Sequence, residues 1–143
     1  MGKDRETEKI GSIAIVGSGI AGIQTALDIA NSGFKVHVIE EKPNVGGVMA
    51  QLDKTFPTND CSSCMMGPKL AELANHPNIE ILAYTEVLRV DGQPGRFQLT
   101  LKKKARAVDP EKCVASHICA DKCTSKVAGT LHWWLLRRPR VDI

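Results

Sequence analysis

The feature that most constrains this chain is Gly17-Ser18-Gly19-Ile20-Ala21-Gly22, a G-x-G-x-x-G pattern set between two differently patterned stretches. Before it, Ile13, Ile15 and Val16 are β-branched and predict a short buried strand over residues 10–16. After it, Ile20, Ile23, Leu27 and Ala30 recur at helical spacing, and Asn31-Ser32-Gly33 supplies a stop, which predicts a helix over 20–31. Val36, Val38 and Ile39 then predict a second strand over 34–39, ending at the acidic pair Glu40 and Glu41. Strand, glycine turn, helix and strand form a right-handed βαβ unit on a parallel sheet, so the expected class is α/β with a Rossmann-like start.

Each glycine of the pattern has a mechanical task. Gly17 permits the tight turn, Gly19 lets the backbone approach a pyrophosphate, and Gly22 lets the helix pack close to the strand. The helix N-terminus offers unpaired N–H groups and partial positive charge to an anion. Glu40 stands at the roughly 20-residue distance where a carboxylate accepts ribose hydroxyls, in a bidentate contact with both. Both FAD and NAD use this fingerprint. The second glycine pair in Glu41-Lys42-Pro43-Asn44-Val45-Gly46-Gly47 resembles the FAD-binding proteins of the two-dinucleotide-domain flavoprotein group, which implies FAD. The expected cofactor-binding residues are Gly17, Ser18, Gly19, Ile20, Ala21, Gly22, Glu40, Glu41, Lys42, Gly46 and Gly47.

Residues 42–68 are rich in Gly, Pro, Asn and Asp and read as a long functional loop with a helical turn near 49–54. A short helix is expected over 68–75 with Pro68 in its first turn, and a strand over 79–84. Residues 87–90 and 96–102 alternate around Asp91-Gly92-Gln93-Pro94-Gly95, a hairpin signal that adds an antiparallel excursion. The pattern changes after Asp109-Pro110, which places a domain boundary near residue 108.

Composition narrows the function classes. With 143 residues the chain is one ordinary domain in size, small for a flavoenzyme, and is expected to be a fragment. A net charge of +3 with three Phe and one Tyr gives no nucleic-acid footprint, because aromatic residues for base stacking are lacking. No apolar run reaches the roughly 18 residues a membrane span needs, and the charged start at residues 1–9 is unlike a signal peptide, so a cytoplasmic location is expected.

In a reducing compartment the five cysteines read as metal ligands or redox groups rather than a disulfide framework. Cys61-x-x-Cys64 fits half a metal site, a redox dithiol, or two cysteines in a turn. Cys113, Cys119 and Cys123 follow the register of a C-x-x-C-x-x-C-x-x-x-C-P cluster run, but Ser116 stands at the second ligand and Thr124 replaces the proline. This segment reads as a degenerate [4Fe-4S] site, with cluster binding left open. Zinc held by these cysteines and His117 is the competing reading, set back by cramped spacing.

The run from Gly46-Gly47-Val48-Met49-Ala50-Gln51-Leu52 through Thr55-Phe56-Pro57-Thr58-Asn59-Asp60-Cys61 to Cys64, with Pro68-Lys69-Leu70 and His76-Pro77-Asn78-Ile79, resembles the family of A-type subunits of heterodisulfide reductase over residues 10–112. The resemblance implies FAD on a thioredoxin-reductase-like domain, iron–sulfur clusters on ferredoxin-like modules, and flavin-based electron transfer with other subunits of a cytoplasmic complex. It also implies that Cys61 and Cys64 lie near the flavin. The domains then expected are a partial FAD-binding Rossmann-like domain over 10–108 and a degenerate ferredoxin-like segment with a tail over 109–143. Such a chain is an oxidoreductase piece incomplete for turnover. The tail around His132-Trp133-Trp134 does not resemble the family and reads as an altered or truncated end, or as a short amphipathic segment packed on the domain. Two rivals stand beside this reading: a non-enzymatic dinucleotide-fold module docked on another protein of a complex, and a simple NAD-binding domain.

Overall fold

The structure is a computed structural model that describes residues 11–106, 108–109, 112–114, 116, 118–124, 126–128 and 137–139. It divides into two compact units, Met1–Lys104 and Ala105–Ile143. The first opens with β1 (Ser12–Val16), α1 (Ile20–Asn31) and β2 (Lys35–Glu40). A 3-10 turn (Met49–Gln51), α2 (Ser62–Asn75), β3 (Ile79–Ala83), β4 (Thr85–Gln93) and β5 (Arg96–Lys103) follow. β1, β2 and β3 form a parallel sheet with β2 in the centre, and β4 and β5 form a separate antiparallel pair. The α/β architecture with an antiparallel hairpin is the one expected.

The helical periodicity of α1 buries Ile23, Ala26, Leu27 and Ala30 against Val36 and Val38 of β2 and against Met66 and Leu73 of α2. This is the core of the unit. α1 ends as its sequence requires: Gly33 takes φ +92°, its N–H reaches the Ala30 carbonyl at 3.0 Å, and the Phe34 N–H reaches Ile29 at 3.4 Å. That pair of bonds is a Schellman stop. It also explains why β2 begins at Lys35 rather than at the expected residue 34, since Phe34 is spent on closing the helix.

α2 departs further from expectation. It begins at Ser62, and Pro68 lies well inside it instead of in its first turn. The physical reason is local. The Cys61 sulfur accepts from the Cys64 N–H at 3.2 Å, the Ser62 N–H reaches the Asp53 carbonyl at 3.2 Å, and the buried Ser62 hydroxyl donates to the Leu52 carbonyl. These contacts start the helix at Ser62, so Pro68 falls in its interior, where the Cys64 carbonyl receives no N–H from it. The expected loop over 42–68 is shortened accordingly. β3 stops at Ala83 because Tyr84 takes φ +59° and gives its N–H to Lys42 at 3.0 Å. In the hairpin, the register slips between Val87 and Arg89.

In the second unit the described elements are α3 (Ile118–Lys122), β6 (Lys126–Ala128) and β7 (Arg137–Pro139), with β6 and β7 paired antiparallel. The boundary falls at Lys104/Ala105, four residues before the expected position (108 − 104). His117, His132, Trp133 and Trp134 lie outside the described residues. Among the described residues no helix is long and apolar enough to cross a membrane.

Candidate dinucleotide site

The site begins where β1 meets α1. Gly17 takes φ +99°, a conformation costly for any residue with a Cβ, and its N–H continues the sheet ladder to Ile39 at 2.8 Å. One turn later a Cβ on Gly22 would collide with the Gly17 carbonyl oxygen and lie 3.6 Å from the Ile15 side chain. Glycine at both positions therefore sets the approach of helix to strand. Gly19 is the N-cap of α1, with no side-chain cap, and a Cβ built on it meets nothing within 4 Å. The first intrahelical bond is from Ile23 to the Gly19 carbonyl, at 2.9 Å, so the N–H groups of Ile20, Ala21 and Gly22 face outward from the helix end.

Glu40, only 8% exposed, closes β2 beside this turn. Its Oε2 accepts the Ser18 N–H at 2.8 Å and the Ser18 hydroxyl at 2.5 Å, while Oε1 accepts the Lys42 N–H at 3.0 Å. Burial pushes the Glu40 carboxyl up, but the Ser18 hydroxyl, the Lys42 and Ser18 N–H groups and the Lys42 charge together outweigh it. The net result is a carboxylate held below its ordinary range. Ser18 itself is fully buried.

The second glycine pair folds back onto this turn. The Gly46 N–H donates to the Ser18 carbonyl at 2.9 Å, and a Cβ on Gly47 would lie 3.0 Å from the Gly19 Cα. Gly17, Ser18, Gly19, Ile20, Ala21, Gly22, Glu40, the Lys42 backbone, Gly46 and Gly47 thus converge on one end of the parallel sheet. Glu41 is engaged elsewhere: its carboxylate pairs with Lys104 at 3.3 Å, and Lys104 also lies 3.8 Å from Glu86 and 5.7 Å from the Tyr84 ring centre. This network joins the strand end to the hairpin base.

The uncapped helix end, the open approach at Gly19 and the buried acid match the needs of the ADP half of a dinucleotide: anion, close backbone and ribose acceptor. The residues fit that group. Three of the roughly four acceptor positions on the Glu40 carboxylate are filled from within the protein.

The cysteines are placed differently. Cys61 and Cys64 are exposed and joined as a disulfide at the start of α2. Cys113, Cys119 and Cys123 are half-buried and not disulfide-bonded, in the second unit, with Ser116 exposed. Among the described residues no three His, Cys, Asp or Glu side chains gather as a metal site.

Two roles escape a reading of residue types. Nothing in the sequence distinguishes Ser18 from any other residue between two glycines, yet its hydroxyl holds Glu40. Lys69 donates to Gln24, joining α2 to α1, and no motif marks that pair.

Known proteins are similar to this chain in sequence and fold. An A-type iron-sulfur subunit of CoB–CoM heterodisulfide reductase from Methanopyrus kandleri is 49% identical over 123 residues, 86% of this chain and 18% of that protein. The resemblance carried by the Gly46 to Ile79 region is thereby borne out, and the chain spans less than a fifth of that relative's length. Among solved structures, L-proline dehydrogenase of P. horikoshii superimposes with a TM-score of 0.54 at 28% identity, over 66% of this chain and 20% of that one. Thioredoxin reductase of T. acidophilum does so with a TM-score of 0.53 at 25% identity, over 62% of this chain and 30% of that one. Residues 11–121, which contain the glycine turn, Glu40 and the Cys61–Cys64 pair, match the pyridine nucleotide-disulphide oxidoreductase family, and the chain belongs to it.

Proposed function

We propose that this chain is the FAD-binding part of an oxidoreductase subunit that passes electrons between flavin and iron–sulfur centres; its relative is named an iron-sulfur subunit of heterodisulfide reductase, which supports the reading. The observation that carries the reading is the buried Glu40 carboxylate, fastened to the glycine turn beside an uncapped helix N-terminus. In this reading the N–H groups of Ile20, Ala21 and Gly22 receive the pyrophosphate, Gly19 and Gly47 leave room for it, and Glu40 recognises the ribose. When bound, FAD supplies the electron chemistry, and the protein binds and orients it.

The relative is named as one subunit of a reductase, which supports a partner made of other electron-transfer subunits, and a cytoplasmic location goes with that reading. Cys61 and Cys64 adjoin the same loop and are the cysteines nearest in sequence to the site. Cys113, Cys119 and Cys123 stand in this reading as the remnant of a [4Fe-4S] ligand run, with Ser116 at its second position.

The test is cofactor uptake. The purified chain incubated with FAD and desalted should retain one flavin per chain with visible absorption bands, and excess NAD should not displace it. Uptake of NAD with no retention of FAD would overturn the flavin assignment.

A further inference from the structure

Cys61 and Cys64 are joined as a disulfide and both are exposed, while Ser62 between them is fully buried. That burial pins the pair from within. The Ser62 hydroxyl donates to the Leu52 carbonyl, its N–H reaches the Asp53 carbonyl at 3.2 Å, and Cys61 forms an antiparallel bridge with Lys54. The two sulfurs are therefore held at a fixed place on the surface, where a thiol in solution reaches them without opening the fold.

The sulfurs are not equivalent. Cys61 is the N-cap of α2, a helix of 14 residues with no acidic residue in its first turn, and its sulfur accepts the Cys64 N–H at 3.2 Å. Negative charge arriving on the Cys61 sulfur meets that donor and the positive end of the helix dipole. Cys61 is thereby the better leaving group of the pair, and attack by an external thiolate is directed to its partner, Cys64.

We propose that Cys61–Cys64 is a thiol–disulfide exchange site for low-molecular-weight thiols, entered at Cys64, with Cys61 as the leaving thiolate. A thiolate attacks the Cys64 sulfur; the new sulfur–sulfur bond forms as the Cys61–Cys64 bond breaks, and the electron pair departs on Cys61. A second thiolate attacks the external sulfur of the mixed disulfide and releases Cys64. Two thiols have then become one disulfide and the protein pair has gained two electrons. Of the two protons the thiols give up, one goes to Cys64 and one to solvent. The exchange uses the chain's own sulfurs and stands apart from the dinucleotide reading.

The test uses the full chain, free of nucleotide, and glutathione as the thiol. The oxidised chain is mixed with reduced glutathione at neutral pH, quenched with acid and mapped by peptide mass spectrometry. The trapped adduct should sit on Cys64 with Cys61 free, and it should form as readily without urea as with it. After full reduction, brief alkylation should label Cys61 at least about threefold faster than Cys64, as a thiolate stabilised at a helix N-terminus requires. In Cys64→Ser the remaining Cys61 should keep that reactivity, whereas in Cys61→Ser the remaining Cys64 should be the slower thiol.

An adduct on Cys61, equal labelling of the two sulfurs, or exchange seen only in urea would overturn the proposal, the last marking a bond that serves the fold alone. A native chain with no Cys61–Cys64 disulfide would overturn it as well. None of these outcomes touches flavin uptake, which is read separately. Should either variant not fold, adduct mapping and alkylation of the native chain decide.

Discussion

Two helices of the first unit begin within reach of glycine-rich loops, and their N-termini have been treated in opposite ways. α1 starts at Gly19 with no side-chain cap and no acidic residue in its first turn. α2 starts at Cys61, whose sulfur accepts the Cys64 N–H, and the Ser62 N–H is taken by Asp53. Both ends carry the same orphan donors and the same dipole. The difference teaches that a helix end is made ready for a ligand by what is withheld from it. At α1 the capping position is a residue without a side chain, and the acid that could have capped it, Glu40, is held at one side by Ser18 and Lys42.

The largest expected effect breaks the α1 end outright. Gly22→Val places a branched side chain where a Cβ alone already collides with the Gly17 carbonyl. A loss of about 3 kcal/mol or more is expected in urea unfolding, a large share of the roughly 5–15 kcal/mol typical of a domain. Gly19→Ala is the matched control. Its Cβ meets nothing, so stability should fall by no more than about 1 kcal/mol, the size of a weakened N-cap. If the two variants lost equal stability, the division of tasks between Gly19 and Gly22 would be wrong.

Next comes Glu40. Its folded carboxyl is held below the ordinary value, so the unfolded chain binds its proton more readily, and stability rises with pH across that interval. The contribution is fully present above the ordinary carboxylate value and is lost as pH falls through the lowered folded value. Glu40→Gln should cost about 1.5 to 3 kcal/mol at neutral pH and remove that segment of the profile, read from urea midpoints between about pH 3 and pH 7. An unchanged profile would show that Glu40 is not fastened as described.

At the α2 end the effects are smaller. Cys61→Ala and Cys61→Ser both break the Cys61–Cys64 disulfide, so their difference reports the cap: Cys61→Ser, which keeps a good N-cap acceptor, should be about 1 kcal/mol more stable than Cys61→Ala. Thiol titration of the denatured chain should find three reactive groups before reduction and five after, since Cys61 and Cys64 are paired and three cysteines are not disulfide-bonded. Five before reduction would remove the pairing. Smallest of all is Phe56→Ser, in the loop leading to α2: at 96% exposure its side chain contributes little packing, and a thermal melt should show a change within about 0.5 kcal/mol.

The part of the fold that was legible in the sequence is the part governed by local periodicity. α1 runs over 20–31 as its apolar spacing indicates, and the Gly33 stop follows from a positive φ that glycine accepts. The tasks of Gly17 and Gly22 in turn and packing were also readable, because both arise within a few residues of chain. What was not readable depends on partners distant in sequence. The start of α2 is decided by Asp53 and Leu52 reaching Ser62, so a rule that places proline early in a helix misjudged Pro68. The Ser18 hydroxyl acquires its role only when β2 brings Glu40 alongside, and Glu41 turns to Lys104 across a strand that no motif connects to it.

The most direct test of the account is a titration of ADP into the isotopically labelled chain, followed by the amide proton–nitrogen spectrum. The uncapped end should respond: the amides of Gly19, Ile20, Ala21, Gly22 and Gly47 should shift most and saturate together, while those of Ser62 and Cys64, already bonded within the protein, stay where they are. Shifts centred on the α2 end, or none at the glycine turn at saturating ADP, would contradict it.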